Sequence, residues 1–213
     1  QPGLVPLSGL TTYSVYITLA GETDFLSAVV GDADNPINVS TTTSFYQNIF
    51  GSATGSGVSA ALIAVFPELA YDSWVTIGTS PSDPGAVINT IEGDAPIFAP
   101  FEAGGNLVVN DAVGGGWYAL NGDANGVAGA DLEVLIGQFT TDGVLSGQLY
   151  VQVFPNGIGA DEYRCTLPFS VAQGVPGCTD VTACNYNPDA TEDDGSCAVN
   201  DECGNCGGDE FAG

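Results

Sequence analysis

Five of the six cysteines fall within the last 36 residues, among clustered carboxylates: Cys178, Cys184, Cys197, Cys203 and Cys206. A segment so poor in apolar residues cannot close a hydrophobic core, so its order must come from covalent links or bound cations. Six cysteines in an exported chain read as disulfides made in an oxidising compartment. The spacing repeats, with twelve residues between Cys165 and Cys178 and between Cys184 and Cys197, and five between Cys178 and Cys184 and between Cys197 and Cys203. Spacing alone does not give the pairing. Cys165, the one cysteine outside the tail, is expected to reach into it as a staple. Zinc at Cys203-x-x-Cys206 lacks a histidine and a second such pair to complete a site, and a redox role lacks its βαβ context.

Charge sets the next bound. The chain has 213 residues, 26 of them acidic and a single one, Arg164, basic, for a formal charge of -25. Nucleic acid is excluded as a partner because no cations are present to displace its counterions, and anionic membranes are excluded on the same ground. No apolar run approaches the roughly 18 residues of a membrane span. Charged residues are only 13% of the chain and hydrophobic ones 44%, so much of the surface must be small and neutral. That skin fits either a domain adapted to salty water or a subunit that shares its surface with neighbours. The absence of methionine, including at position 1, leads us to expect a processed, secreted chain that works outside the cell or at its surface.

Residues 1–172 read as β structure broken by turns. In Thr12–Leu19, Tyr13, Val15, Ile17 and Leu19 share one face and Thr12, Ser14, Tyr16 and Thr18 the other, as in a half-buried strand. Val144–Phe154 repeats the pattern, with Leu145, Leu149, Val151 and Val153 inward. Leu132–Phe139 precedes it across Thr140-Thr-Asp-Gly143, and Asp-Gly between two such runs predicts a hairpin. Further strands are expected at Phe25–Val30, Ser44–Phe50, Ser73–Ile77, Ala86–Ile91, Asn106–Asn110, Trp117–Leu120 and Tyr163–Val171. One helix is expected at Val58–Phe66, ended by Pro67. The prediction is an all-β fold, with a β-sandwich or jelly-roll body, one short helix, and a loop-like, disulfide-rich tail over residues 173–213. The start, Gln1-Pro-Gly-Leu-Val-Pro-Leu7, reads either as an ordinary terminus or as an extended arm able to add to a neighbour's sheet edge.

Two segments have the composition of calcium loops. Asn121-Gly-Asp-Ala-Asn-Gly-Val-Ala-Gly-Ala-Asp131 sets oxygens at Asn121, Asp123 and Asn125, a glycine at the sixth place and Asp131 near the end, as an EF-hand-type loop requires. Its twelfth position is Leu132 rather than an acid, and an Asn-Gly turn fits the same residues. In the tail, Asn185, Asn187, Asp189, Glu192, Asp193 and Asp194 lie within ten residues, bracketed by Cys184 and Cys197. Carboxylates held that close call for a bridging hard cation, structural Ca2+ being the expected one.

The tail sequence Cys178-Thr-Asp-Val-Thr-Ala-Cys184-Asn-Tyr-Asn-Pro-Asp-Ala-Thr-Glu-Asp-Asp-Gly-Ser-Cys197 resembles a cysteine-rich acidic repeat of large secreted and surface proteins of marine Bacteroidota. It is also similar to thrombospondin type 3 calcium repeats, though without their Asp-x-Asp-x-Asp-Gly runs. Asp201-Glu-Cys203-Gly-Asn-Cys206-Gly-Gly-Asp209 resembles the segment that follows such repeats. The body phrases Phe66–Gly78 and Gly137–Leu149 look like a module of the same proteins. The resemblance implies export to the cell surface, a structural or adhesive role, and a series of repeats continuing past Gly213.

No histidine and no lysine is present, so Ser-His-Asp, Cys-His and lysine-based nucleophiles cannot be built from this chain. A carboxylate pair of the glycosidase kind remains, with no motif to pick it out. The expectation is therefore a secreted structural protein, not an enzyme, that assembles with copies of itself into a filament, sheath or layer. The alternative is a carbohydrate-binding or adhesive module stacking glycans on Trp74, Trp117, Tyr118 or Tyr71, unless the tryptophans are core.

Overall fold

The computed structural model describes residues 7–83, 87–171, 176–200 and 206–207. The first six residues of the expected arm, the start of the expected strand at Ala86, and Cys203 lie outside the described residues. The chain forms two compact units, Gln1–Val171 and Ala172–Gly213.

The strands are β1 (Thr11–Thr18), β2 (Phe25–Gly31), β3 (Ile37–Thr41), β4 (Trp74–Val75), β5 (Asn89–Ile91), β6 (Leu107–Val109), β7 (Gly115–Tyr118), β8 (Glu133–Thr141), β9 (Leu145–Phe154), β10 (Tyr163–Ser170), β11 (Pro176–Gly177) and β12 (Glu192–Asp193). The first ten make a sandwich-like pair of antiparallel sheets. One sheet runs β1-β8-β4; the other runs β5-β7-β2-β9-β3-β6, with β10 on the remaining edge of β9. The alternation read in β1 and β9 holds, with Ile17, Leu19, Leu145, Leu149, Val151 and Val153 buried. Their branched and aliphatic side chains meet Trp117, Ile136 and Phe139 in one core, where Phe45, Phe101 and Phe139 lie 5.5 to 6.1 Å apart, edge-on or tilted.

The expected hairpin does not form. β8 pairs with β1 and β4, and β9 pairs with β10, β2 and β3, so Asp142-Gly143 carries the chain from one sheet to the other. Both strands already have both edges filled, which leaves no edge for pairing with each other. A threonine corner holds the crossing in place. The Thr141 hydroxyl lies 2.7 Å from that of Thr41, donates to the Ser44 carbonyl at 3.0 Å and accepts from Gly143 N–H at 3.0 Å. The Val144 N–H is taken by the Thr42 hydroxyl.

Three other expectations are corrected. The strand predicted at Ser44–Phe50 is a loop, and Ile37–Thr41 is the strand instead. Phe45 dips into the core while Asp72, fully buried, accepts the N–H groups of Asn48 and Ser52 at 2.7 and 3.1 Å. The helix predicted at Val58–Phe66 shortens to one turn, α1 (Ala60–Ile63), followed by a 3-10 turn at Pro67–Tyr71. A second short helix, α2 (Phe98–Glu102), was not foreseen; its apolar content, Phe98 and Phe101, is what anchors it.

Asp72 makes the fold sensitive to pH in an unusual direction. Burial, aided by the neighbouring Glu102 charge, pushes its pKa from 3.8 to about 6 against the hydrogen bonds that favour its charged form. The folded chain thus holds this proton more tightly than the unfolded one. Its contribution is full below pH 3.8 and is lost as pH rises through about 6. Thermal unfolding of Asp72→Asn should therefore show a weaker loss of stability than wild type between these pH values; an unchanged profile would remove this assignment.

Candidate functional site

In the tail, two crossed disulfides, Cys178–Cys197 and Cys184–Cys206, tie the chain across separations of 19 and 22 residues. Cys165, the expected staple, instead carries a free thiol on β10, packed against the body core. Burial raises its pKa. β11 and β12 add a two-residue parallel pairing of Pro176–Gly177 with Glu192–Asp193. Hydrogen bonds complete the scaffold: Asn185 donates to the Ser196 carbonyl at 2.6 Å and accepts from Ala198 N–H at 2.8 Å.

These bonds engage the groups singled out as metal ligands. Asn185 uses both of its side-chain atoms on the backbone. Asn187, Asp193 and Asp194 each accept an N–H two residues ahead, from Asp189, Gly195 and Ser196. Asp189, Glu192, Asp193 and Asp194 are exposed. Among the described residues no group of three or more acidic, cysteine or histidine side chains converges on a point. The two disulfides and these hydrogen bonds account for the order of the tail.

The loop at Asn121–Asp131 is likewise built by packing. Asn121 donates to the Gly157 carbonyl at 3.3 Å, Asp123 accepts Leu120 N–H at 3.2 Å, and Asn125 donates to the Ile77 carbonyl at 2.7 Å. These three side chains have separate partners, and Asp131 is exposed. The sixth-position glycine, Gly126, has a different role from the one expected: a Cβ there would stand 2.4 Å from the Phe25 ring. Gly78, at φ +63, receives the loop, since an added Cβ would sit 1.7 Å from the Asn125 carbonyl oxygen.

A wider pattern emerges. Among the described residues Arg164 pairs with exposed Glu162 alone, at 3.7 Å, and carboxylates find backbone N–H donors instead of cations. Asp24 accepts from Gly21 and Asn156, Asp32 from Asp34 and Asn35, and Asp111 from Ala95, Val113 and Gly114. Such bonds hold the pKa values of Asp32, Asp111 and Asp180 below the usual value, and Ser196 does so for Asp194. The acidic side chains thus act as turn and loop fasteners.

The concave feature with ligand-binding dimensions lies elsewhere, on the outer face of the three-stranded sheet. There α1 and the Pro67–Tyr71 turn cover a second small core of Val58, Leu69 and Trp74, packed with Ile63 and Leu135. Beside it opens a cleft of about 450 Å³, lined by Ser14, Tyr16, Trp74, Ser80, Ser82 and Gln138 among others. That volume falls in the ordinary range for small-ligand sites. Tyr16 is 49% exposed, and the Ser80 and Ser82 hydroxyls are 2.7 Å apart at the rim. Gln138 is committed to the Ala70 and Asp72 carbonyls. No carboxylate is among the described residues that line the cleft. The tryptophans proposed for stacking are core: Trp117 is fully buried and donates to the Thr76 carbonyl at 2.8 Å, and Trp74 is 3% exposed. Tyr71 and Tyr118 are half-buried and do not line the cleft. The outward position of Tyr16 was legible from alternation in β1; its proximity to Ser80–Ser82 was not, because no local pattern joins them.

No family model, no curated protein and no solved structure matches the chain. The two disulfides mark a non-cytoplasmic, oxidising environment. Among the described residues no helix is long and apolar enough to cross a membrane.

Two outcomes are expected. Replacing Cys184 and Cys206 together by serine should destabilise the tail by about 3 kcal/mol, the loop-closure value for a link of this span, and raise hydrogen exchange across residues 178–200. Gly78→Ala should cost more than about 2 kcal/mol, because the new methyl meets backbone rather than a yielding side chain. Chemical denaturation would show it, and a loss under about 0.5 kcal/mol would mean the loop moves freely.

Proposed function

We propose that this chain is a structural module of an extracellular surface assembly that associates with copies of itself. The observation carrying this reading is an exposed apolar patch on the body. Ile49, Phe50, Leu62, Val65 and Phe66 are all exposed, with Phe50 and Phe66 stacked at 4.6 Å, and no residue of α1 is buried. Contiguous apolar surface of this kind marks an association face. The resemblance of the tail to acidic repeats of surface proteins supports export. Divalent cations in this reading screen charge between acidic copies and are assigned no resident site. Copies at -25 repel, so association should strengthen as ionic strength rises from about 0.05 to about 0.5 M. Sedimentation velocity and electron microscopy should show larger, ordered species at the higher salt, reduced in Phe66→Asp; monomers throughout would end this proposal.

The cleft favours a second reading, a glycan-binding or adhesive module with Tyr16 as the stacking platform. Saturable retention on a glycan column that Tyr16→Ala abolishes at unchanged melting temperature would support it. Equal retention of the two proteins, or none by either, would remove it.

A further inference from the structure

A strand at the end of a sheet exposes a row of unpaired backbone groups, and folded chains guard such ends with charge, proline or shortness. Among the described residues of the two body sheets, four of the five end strands are guarded. β4 has two residues and is flanked by the Thr54–Val75 bridge. β5 and β6 have three residues each, and β10 carries Pro168 and the lone cation Arg164. β1 differs. It runs eight residues, Thr-Thr-Tyr-Ser-Val-Tyr-Ile-Thr, with no proline and no charge, and pairs on one side only, with β8. The register shift at Val15/Tyr16 skips Ile136 of β8, so β1 itself stays regular.

The sandwich is also open along this edge. A groove of about 240 Å³ separates β1 from β9 and β10, lined by Val15, Ile17, Leu149, Leu167 and Phe169 among others. Val15, Leu167 and Phe169 pack against the core yet remain half-buried, since no further strand covers them among the described residues.

We propose that this edge accepts residues 1–7 of a second copy as an added strand, an assignment that rests on the reading that copies associate. Charge favours this occupant: residues 1–21 hold no acidic side chain, so arm and edge are both neutral in a chain of charge -25, where an acidic strand would be repelled. Pro2 and Pro6 are four apart, so in an extended strand both ring nitrogens turn to the same side. Placed outward, they cost no ladder bond, while Gly3, Val5 and Leu7 donate to β1. Leu4 then stands on one face and Val5 and Leu7 on the other. Gly9, at φ +78 in the turn closed by Leu10 N–H to the Leu7 carbonyl at 3.1 Å, sits at the root of the arm. The contact is head-to-tail and propagates, whereas pairing two β1 edges would close a dimer.

The test uses the full chain, a chain lacking residues 1–6, and a fluorescent peptide of residues 1–10. The full chain should form higher species in high salt and the truncated chain should remain monomeric with an unchanged melting temperature. The peptide should bind the truncated chain saturably, at least tenfold more weakly when it carries Leu4→Asp and Val5→Asp, changes that leave the folded protein untouched. Phe169→Ala in the truncated chain should weaken binding several-fold. Continued assembly of the truncated chain, or no peptide binding, or equal binding of the doubly substituted peptide, overturns the assignment. A monomeric full chain with a bound peptide would instead end the self-association reading while leaving β1 as a strand-accepting edge.

Discussion

Both edges of β9 are occupied along nearly its full length, by β10 on one side and by β2 and then β3 on the other. The rest of the body follows from that saturation. β2 and β3 extend the sheet outward to β7 and β6, and β8 is forced into a separate layer with β1 and β4. The two inner faces then close on Trp117, Phe101 and Phe139, and the chain crosses between layers at a corner where threonine hydroxyls satisfy one another. Because β8 is also fully flanked, its layer ends at β1, and the flank between β1 and β10 is left open.

A chain with one cation cannot neutralise its carboxylates with ion pairs, and here backbone N–H groups take that place. Asp24, Asp32, Asp72 and Asp111 each fasten a loop by accepting two or more N–H groups. The same habit in the tail turns Asp193 and Asp194 toward their own turns. Asp72 is the buried extreme. Its raised pKa and nearby Glu102 give it the electrostatics of a catalytic acid, but it is wholly enclosed and bonded to the loop it holds, which makes it structural.

Histidine and lysine are missing from the sequence, and the body offers an apolar patch, a cleft and a neutral strand edge. Each is a surface for contact. Charge is kept away from the edge, which is what an acidic subunit needs if copies are to approach one another.

Much of this was legible in order along the chain. Alternation located β1 and β9 and told their inner from their outer residues, because side chains in a strand change face at every step, while β2, β8 and β10 were expected as strands without their faces being assigned. Cysteine density marked the tail. Pairing was another matter. Asp142-Gly143 has hairpin chemistry, yet partner choice belongs to whichever edges remain free after the whole sheet forms, a non-local competition. The same holds for Asn121–Asp131, whose spacing suggested a chelate and whose side chains bond to carbonyls far off in sequence, Asn125 to Ile77 and Asn121 to Gly157. Local pattern determined the elements and the chemistry they lack; only the tertiary structure decided which edges, oxygens and thiols were left to meet another molecule, because each is defined by what its distant neighbours already occupy.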